Sequence, residues 1–315
     1  MTRYIVRRII QAVVVMIGVM TLTFFLIRLS GDPAAYFVDI DLEWDEERVS
    51  LELDYARRRL GFDDPLPVQY VKYLWRIVSL DFRESFRYQA PTTEIVLERL
   101  PRTIQLGLAQ YLFAIFTGLP LGVLAALYRG SIFDTAATTV SVVGFIFPNF
   151  WLGILLIILF AVILGWLPSS GYQSWKHYIL PTITGGVGGT AVLARYARSG
   201  MLEVMGQDYI RTARAKGLSE SSVIVKHAFR NGMITLLSIT VPLTTAIIGG
   251  SIVIENIFAW PGIGQLFIQS MTVRDYPVIF MLTVLLGSIS VVIFLVLDVS
   301  YAIADPRIRF GTNAT

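Results

Sequence analysis

No cysteine occurs in this chain of 315 residues, and only two histidines do. The first absence excludes disulfides, thiolate metal sites and a cysteine nucleophile. The second leaves His177 and His227, which fall on opposite sides of the membrane in the topology read below and so share no metal site. His227 reads as an ordinary helix-face residue. Charge is scarce too, at 16% of the chain, where a soluble domain carries about 25%. The phosphate-binding pattern GxxxxGK[ST] is missing; "GGVGGT" at 185–190 lies in an apolar run and has no lysine to reach a phosphate. The chain is therefore expected to bind no cofactor and to hydrolyse no ATP itself. Membrane-centred acid pairs are absent, and "SSG" at 169–171 has no evident base, so no catalytic set and no coupling-ion cluster emerges.

What is abundant is apolar: 55% of residues are hydrophobic, with a mean hydropathy of +0.64. Several runs reach the roughly 20 residues that cross a bilayer at 1.5 Å each. The reading is an all-α membrane protein with six transmembrane helices: Ile9–Leu29, Ile104–Tyr128, Ala136–Leu164, Ile179–Ala197, Met233–Ile254 and Val278–Ala304. The fourth is the weakest, holding Gly185, Gly186, Gly188, Gly189 and Arg195. Each glycine costs roughly 1 kcal/mol of helix propensity relative to alanine. Gly185 and Gly189, at GxxxG spacing, let a neighbouring backbone approach. Arg3, Arg7 and Arg8 precede an apolar run longer than a signal peptide's, so the first run is expected to stay as a span.

Lysine and arginine set the orientation. With the N-terminus inside, inner segments hold Arg3, Arg7, Arg8, Arg129, the cations from Arg195 to Arg230, and Arg307 and Arg309, while the short outer loops hold Lys176 and Arg274. The net charge of +3 thus orients a chain in a membrane and points to no nucleic acid. Residues 30–103 become an extracytoplasmic insertion, acidic at its start ("DIDLEWDEE", 39–47), with helices expected near Asp45–Leu60 and over 65–80. The apolar positions of the second are Val68, Val71, Leu74, Trp75 and Val78. No linker or repeat divides the chain, so 1–315 is read as one transmembrane domain.

One polar segment interrupts the apolar pattern: "DYIRTARAKGLSESSVIVKHAFRN", 208–231, in an inner loop spanning 198–232. Asp208 is expected to cap a helix of about two turns, Gly217 to end it in a left-handed conformation, and Ser219 to start another with Glu220 in its first turn. Two readings stand: a basic loop held at the headgroups, or a rigid knob fitting another protein's cleft. Elsewhere, Arg28 and Arg195 lie near span ends and can snorkel, Asp298 pairs with a neighbouring helix, and Glu255 marks the interface or lines a pathway. Pro148, flanked by Phe147, Phe150 and Trp151, should kink the third span, and these aromatics pack or gate. "FAWPGIG", 258–264, is a stiff loop after the fifth span, built around Trp260, Pro261 and Gly262.

Ala213, Arg214, Ala215, Lys216 and Gly217 resemble the EAA loop of ABC importer permeases, although Arg211 and Thr212 stand where Glu and the first Ala would be. The resemblance covers nearly the whole chain: "RRIIQ" (7–11), "GDP" (31–33), "LGFDDPLPVQYVKYL" (60–74), "RLPRTIQLGLA" (99–109), "PNFWLGILLIILFAVILGWLPSSGY" (148–172), "ILPTI" (179–183), "FAWPGIG" and "ADPRIR" (304–309). Together they are similar to the B-type permease of the dipeptide, oligopeptide and nickel family, a binding-protein-dependent inner membrane component. "LDFRESF" at 80–86 departs from it, where the family often has a Gly-Asp-Leu-Gly-like turn.

The resemblance implies a type I ABC importer permease fold in a bacterial or archaeal cytoplasmic membrane, with both termini inside. It implies a C-type permease, two cytoplasmic ATPases carrying ATP and Mg²⁺, and an extracytoplasmic solute-binding protein as partners. Asp208, Tyr209, Arg211, Ala213, Arg214, Lys216 and Gly217 would dock the ATPases. Phe147, Pro148, Trp151, Glu255, Trp260, Pro261 and Gly262 would belong to the pathway or its gate. Small peptides are the expected cargo; nickel chelates, glutathione-like peptides and oligosaccharides are alternatives within the frame. A stand-alone secondary transporter is the alternative outside it, with poor support from a chain lacking detectable repeats.

Overall fold

A computed structural model describes residues 2–29, 32–36, 38, 45–60, 62–229, 252–273 and 275–304. Most of the expected fifth span lies outside the described residues, as do Gly31, the acidic run 39–44, Arg230, Arg274, the 305–309 segment and the side chains of Arg28 and Asp298. Among the described residues there is no strand, only an isolated bridge between Glu84 and Pro91.

The helices are α1 (Thr2–Leu29), α2 (Glu46–Leu60), α3 (Leu66–Val78), α4 (Thr92–Leu127), α5 (Ile132–Ile146), α6 (Asn149–Leu156), α7 (Lys176–Met205), α8 (Asp208–Ala215), α9 (Glu220–Ser222), α10 (Ile252–Ile257), α11 (Ile263–Thr272) and α12 (Tyr276–Ala304). A 3₁₀ turn covers Pro33–Tyr36, and π-helical segments Ile157–Ile163 and Val223–Phe229 extend α6 and α9. Among the described residues three stretches are long and apolar enough to cross a membrane: Val6–Phe25, Thr92–Leu127 and Pro277–Val296. A fourth exists if α5 and α6, bent by 105° at their junction, count as one. The bend falls at Pro148, which has no N–H to continue the helix and pushes Phe147 into extended backbone. The glycine-rich α7 falls outside that apolar set.

The chain divides into two compact units. In the unit of residues 1–101 and 266–315, α1 packs on α12. Gly287 permits close approach: a Cβ there would stand 3.3 Å from Val19 Cγ1. Phe24 of α1 packs edge-on to Tyr70 and tilted against Tyr73 of α3, each with ring centroids 5.2 Å apart. Arg57 of α2 donates through Nε and Nη2 to Asp32, at 2.9 and 2.6 Å. Buried Asp275 accepts from the Ser85 hydroxyl and the Phe86 N–H, which ties the 80–91 loop to the start of α12.

The second unit, residues 102–265, is organised by small residues where α4 meets α7. A Cβ on Gly118 would stand 2.8 Å from the Thr190 carbonyl oxygen, and one on Gly122 would overlap that of Ala194. From the other side, Gly186 and Gly189 lie against Phe113 and Ala114, so the expected close approach at Gly185–Gly189 is matched by glycines on α4. Thr117 and Thr190 hydroxyls bond across the seam at 2.7 Å. α5 is fastened to α7 by Asp134, which accepts from Arg198 Nε at 2.6 Å and Nη2 at 2.8 Å.

Candidate functional site

The polar stretch at 208–231 folds into a corner. α7 ends at Met205, and Gln207, in extended backbone, caps α8. The capping position is thus one residue before the expected Asp208, which instead occupies the first turn, where its negative charge faces the helix's positive end. Ile210 and Ala213, three residues apart, point inward and are buried with Met201 of α7, Ala126 of α4, and Val223 and Ala228 of the π segment. Burying an isoleucine side chain contributes about 1.5–3 kcal/mol. The opposite face is exposed: the side chains of Asp208 and Arg211, an ion pair at 3.6 Å, are 98% and 76% exposed, and Tyr209 and Lys216 are exposed as well.

Gly217 closes the helix with φ +76°. Its N–H donates to the Arg214 carbonyl at 2.9 Å and that of Leu218 to the Ala213 carbonyl at 3.4 Å, the paired pattern of a Schellman end. A Cβ at Gly217 would meet nothing within 4 Å, so only backbone conformation demands glycine here. Ser219 caps α9, accepting from the Ser222 N–H at 3.4 Å. Arg214 grips Glu220 across the corner, Nε to Oε2 at 3.1 Å and Nη2 to Oε1 at 2.7 Å. The Arg214 hydrogen bonds hold the Glu220 carboxyl below the usual carboxylate range, and the same contact raises the Arg214 guanidinium.

A second cluster forms around Glu255 at the end of α10. Its side chain is fully buried and accepts from Thr103 Oγ1 at 2.7 Å and from the N–H groups of Gly264 and Gln265 at 2.7 and 3.0 Å. Those N–H groups belong to the first turn of α11, whose orphan donors need an acceptor. Thr103 Oγ1 also accepts the Ile263 N–H at 2.8 Å. A side chain on Gly262 would overlap both Glu255 and Thr103. Trp260 is fully buried, its indole donating to the Arg102 carbonyl at 3.0 Å between Tyr172 and Tyr178. Ala259 takes φ +46° to make this turn.

Phe147 and Trp151 stack at 4.8 Å beside Pro148, both part-exposed on this chain. The sequence-predicted residues therefore form three groups: the α8 corner, the Glu255–Trp260 lock and the Phe147–Trp151 pair. Thr103, Asp134 and Arg198 were missed because their partners lie far along the chain. Among the described residues no group of three His, Cys, Asp or Glu side chains could hold a metal ion.

Residues 118–310 match the family model of the binding-protein-dependent transport system inner membrane component, and residues 1–107 match that of the same systems' membrane component N-terminal region. A peptide transport system permease protein of Brucella abortus is 42% identical over 98% of this chain and 100% of its own length. The oligopeptide transport system permease protein AppB of Bacillus subtilis is 38% identical, and so is the glutathione transport system permease protein GsiC of Salmonella paratyphi A, each over 98% of this chain and 100% of its own length. Among solved structures, the inward-facing MetNI methionine ABC transporter superposes with a TM-score of 0.57 at 20% identity over 68% of this chain and 98% of that one. An amino acid ABC transporter gives 0.53 at 14% identity, over 66% and 92%.

Proposed function

Because this chain belongs to the family of binding-protein-dependent transport system inner membrane components, we infer that it forms half of the path by which an ATP-driven importer brings small peptides across a bacterial inner membrane. The peptide assignment draws on the names of its relatives, a peptide and an oligopeptide transport system permease. A glutathione-like peptide is the second reading, since the glutathione permease is equally similar to the oligopeptide one. In this reading the chain crosses the membrane six times with both termini inside, and residues 30–103 lie outside. It pairs with a C-type permease, two ATPases that bind ATP and Mg²⁺, and a solute-binding protein.

The observation that carries the mechanism is the α8 corner. Its apolar side is rooted on the ends of α4 and α7 through Ile210 and Ala213, while its polar side is presented outward. A push on Tyr209, Arg211 or Lys216 is passed to the helix bundle, because the Gly217 turn and the Arg214–Glu220 grip hold the corner's shape. The Phe147–Trp151 pair is proposed to line the pathway. The Glu255–Trp260 lock is proposed to hold the outer end of the gate in register.

Affinity purification of the tagged chain from its native membrane in mild detergent, followed by mass spectrometry, tests the assembly. Recovery of two ATPases and a second permease is expected. A chain that purifies alone, where a known importer stays whole, would remove the coupling role.

A further inference from the structure

Helix α3 turns an apolar stripe away from the protein. Tyr70, Tyr73 and Ile77 form its inner face. On the opposite side Val68, Val71, Trp75 and Val78 recur at three- and four-residue spacing, and all are exposed, Trp75 at 70%. Their periodicity fits a buried face, yet none of the described residues covers them.

The depth of α3 follows from its contacts. The Tyr73 hydroxyl donates to the Met20 carbonyl at 2.9 Å, and the Tyr70 hydroxyl shares a hydrogen bond with Thr21 at 2.6 Å. Both rings pack on Phe24. These partners lie in the last turns of the membrane-crossing stretch Val6–Phe25. Because α1 continues to Leu29, α3 lies beside it rather than beyond its end. Tyr73 also packs on Phe280 at 5.2 Å, in the first turn of the stretch Pro277–Val296. One end of each crossing stretch therefore flanks α3. Leu22 and Phe25 of α1 are exposed at the same level, so the stripe continues an apolar surface that lipid already meets. Lys72 and Arg76 border it on one side, where long basic side chains reach headgroups.

We propose that α3 is an interfacial helix, with its Val68, Val71, Trp75 and Val78 stripe seated at the headgroup–acyl boundary of the leaflet reached by the C-terminal end of α1. An amphipathic helix with tryptophan on the apolar face and cations at its border suits that boundary, where the indole is wet at one end and dry at the other. The segment after α1 is thereby moored to the lipid.

The chain has no cysteine, so one introduced thiol carries a label without background from this subunit. The variants Val71→Cys, Trp75→Cys and Val78→Cys, with Ser50→Cys as the aqueous reference, are nitroxide-labelled in the assembled transporter. The transporter is reconstituted in phosphatidylcholine–phosphatidylglycerol vesicles, and the unsubstituted complex serves as blank. Power saturation with oxygen and a nickel chelate is expected to place 71, 75 and 78 about 5–10 Å below the phosphates, and 50 in water. Nickel access at 71, 75 and 78 would overturn the proposal in favour of a water-facing helix. Exclusion of both reagents would overturn it in favour of a protein partner. The three stripe positions are read separately, so a fault at one leaves two to decide.

Discussion

Glu255 and Arg214 are both charged residues that secure a helix end, and they do it under opposite conditions. Glu255 is fully buried and holds the first turn of α11 through backbone N–H groups. Arg214 is part-exposed and holds Glu220 across a turn facing solvent. A buried carboxylate without its donors would carry the full desolvation penalty, so the first arrangement tolerates little change. An exposed pair is screened by water and shapes the corner without dominating its stability. The buried lock is therefore a device of rigidity, while the corner is held by a solvent-facing grip and is the proposed point of contact with the ATPases.

The strongest way to break this contrast is at the lock. Glu255→Ala leaves the Thr103 hydroxyl and the Gly264 and Gln265 N–H groups without their acceptor, an expected loss of about 1–3 kcal/mol for each buried donor left unsatisfied. Gly262→Ala should do comparable damage by forcing a methyl into Glu255 and Thr103. Thermal unfolding of the detergent-solubilised complex is the measurement. A variant as stable as the parent would show that the lock bears little strain.

Next comes the root of the corner. Ile210→Ala should cost about 2–5 kcal/mol of local stability, seen as faster hydrogen exchange over 208–217 and ATP hydrolysis less tightly tied to uptake. Unchanged exchange would mean α8 is held by something other than its apolar face. Gly217→Pro acts at the turn itself: proline cannot adopt φ +76° or supply the N–H that Arg214 accepts. Hydrolysis without uptake is expected, with membrane insertion intact, and wild-type uptake would count against the coupling role. Gly217→Ala should be milder, about 1–2 kcal/mol for a left-handed non-glycine residue, and Gly217→Asn milder still.

The smallest effect belongs to the exposed pair. Since its folded-state pKa is lowered, the Glu220 contribution is complete above the unfolded pKa and is lost as pH falls through the folded one. The opening free energy of the corner, taken from exchange corrected for its intrinsic pH dependence, should therefore be flat near neutrality and fall only on acidification, while Glu220→Gln should abolish that pH response. A response that persists in the glutamine variant would point to another group.

Much of this was legible in the residues. Apolar runs announced α1, α4 and α12, because a bilayer demands a length that composition reveals. Gly217 could be read as a left-handed helix end, since few other residues adopt that conformation without strain. Capping was read one residue off, at Asp208 instead of Gln207, because Asp is a favoured cap whereas Gln207 holds the position through extended backbone without a side-chain bond. Pro148 announced a break, but not that the two pieces diverge by 105°.

The sequence by itself determined the class: helices for a bilayer, a polar segment with a fixed bend, and motif order along the whole chain. These depend on local propensity and on transfer from water, which act residue by residue. Only the tertiary structure decided what each lone charge does. Thr103 meets Glu255, and Asp134 meets Arg198, across separations that no local pattern records. It also decided that the stripe of α3 is left uncovered by the described residues while its tyrosines are packed. Spacing states that a helix has two faces, and the neighbours alone choose which one is buried.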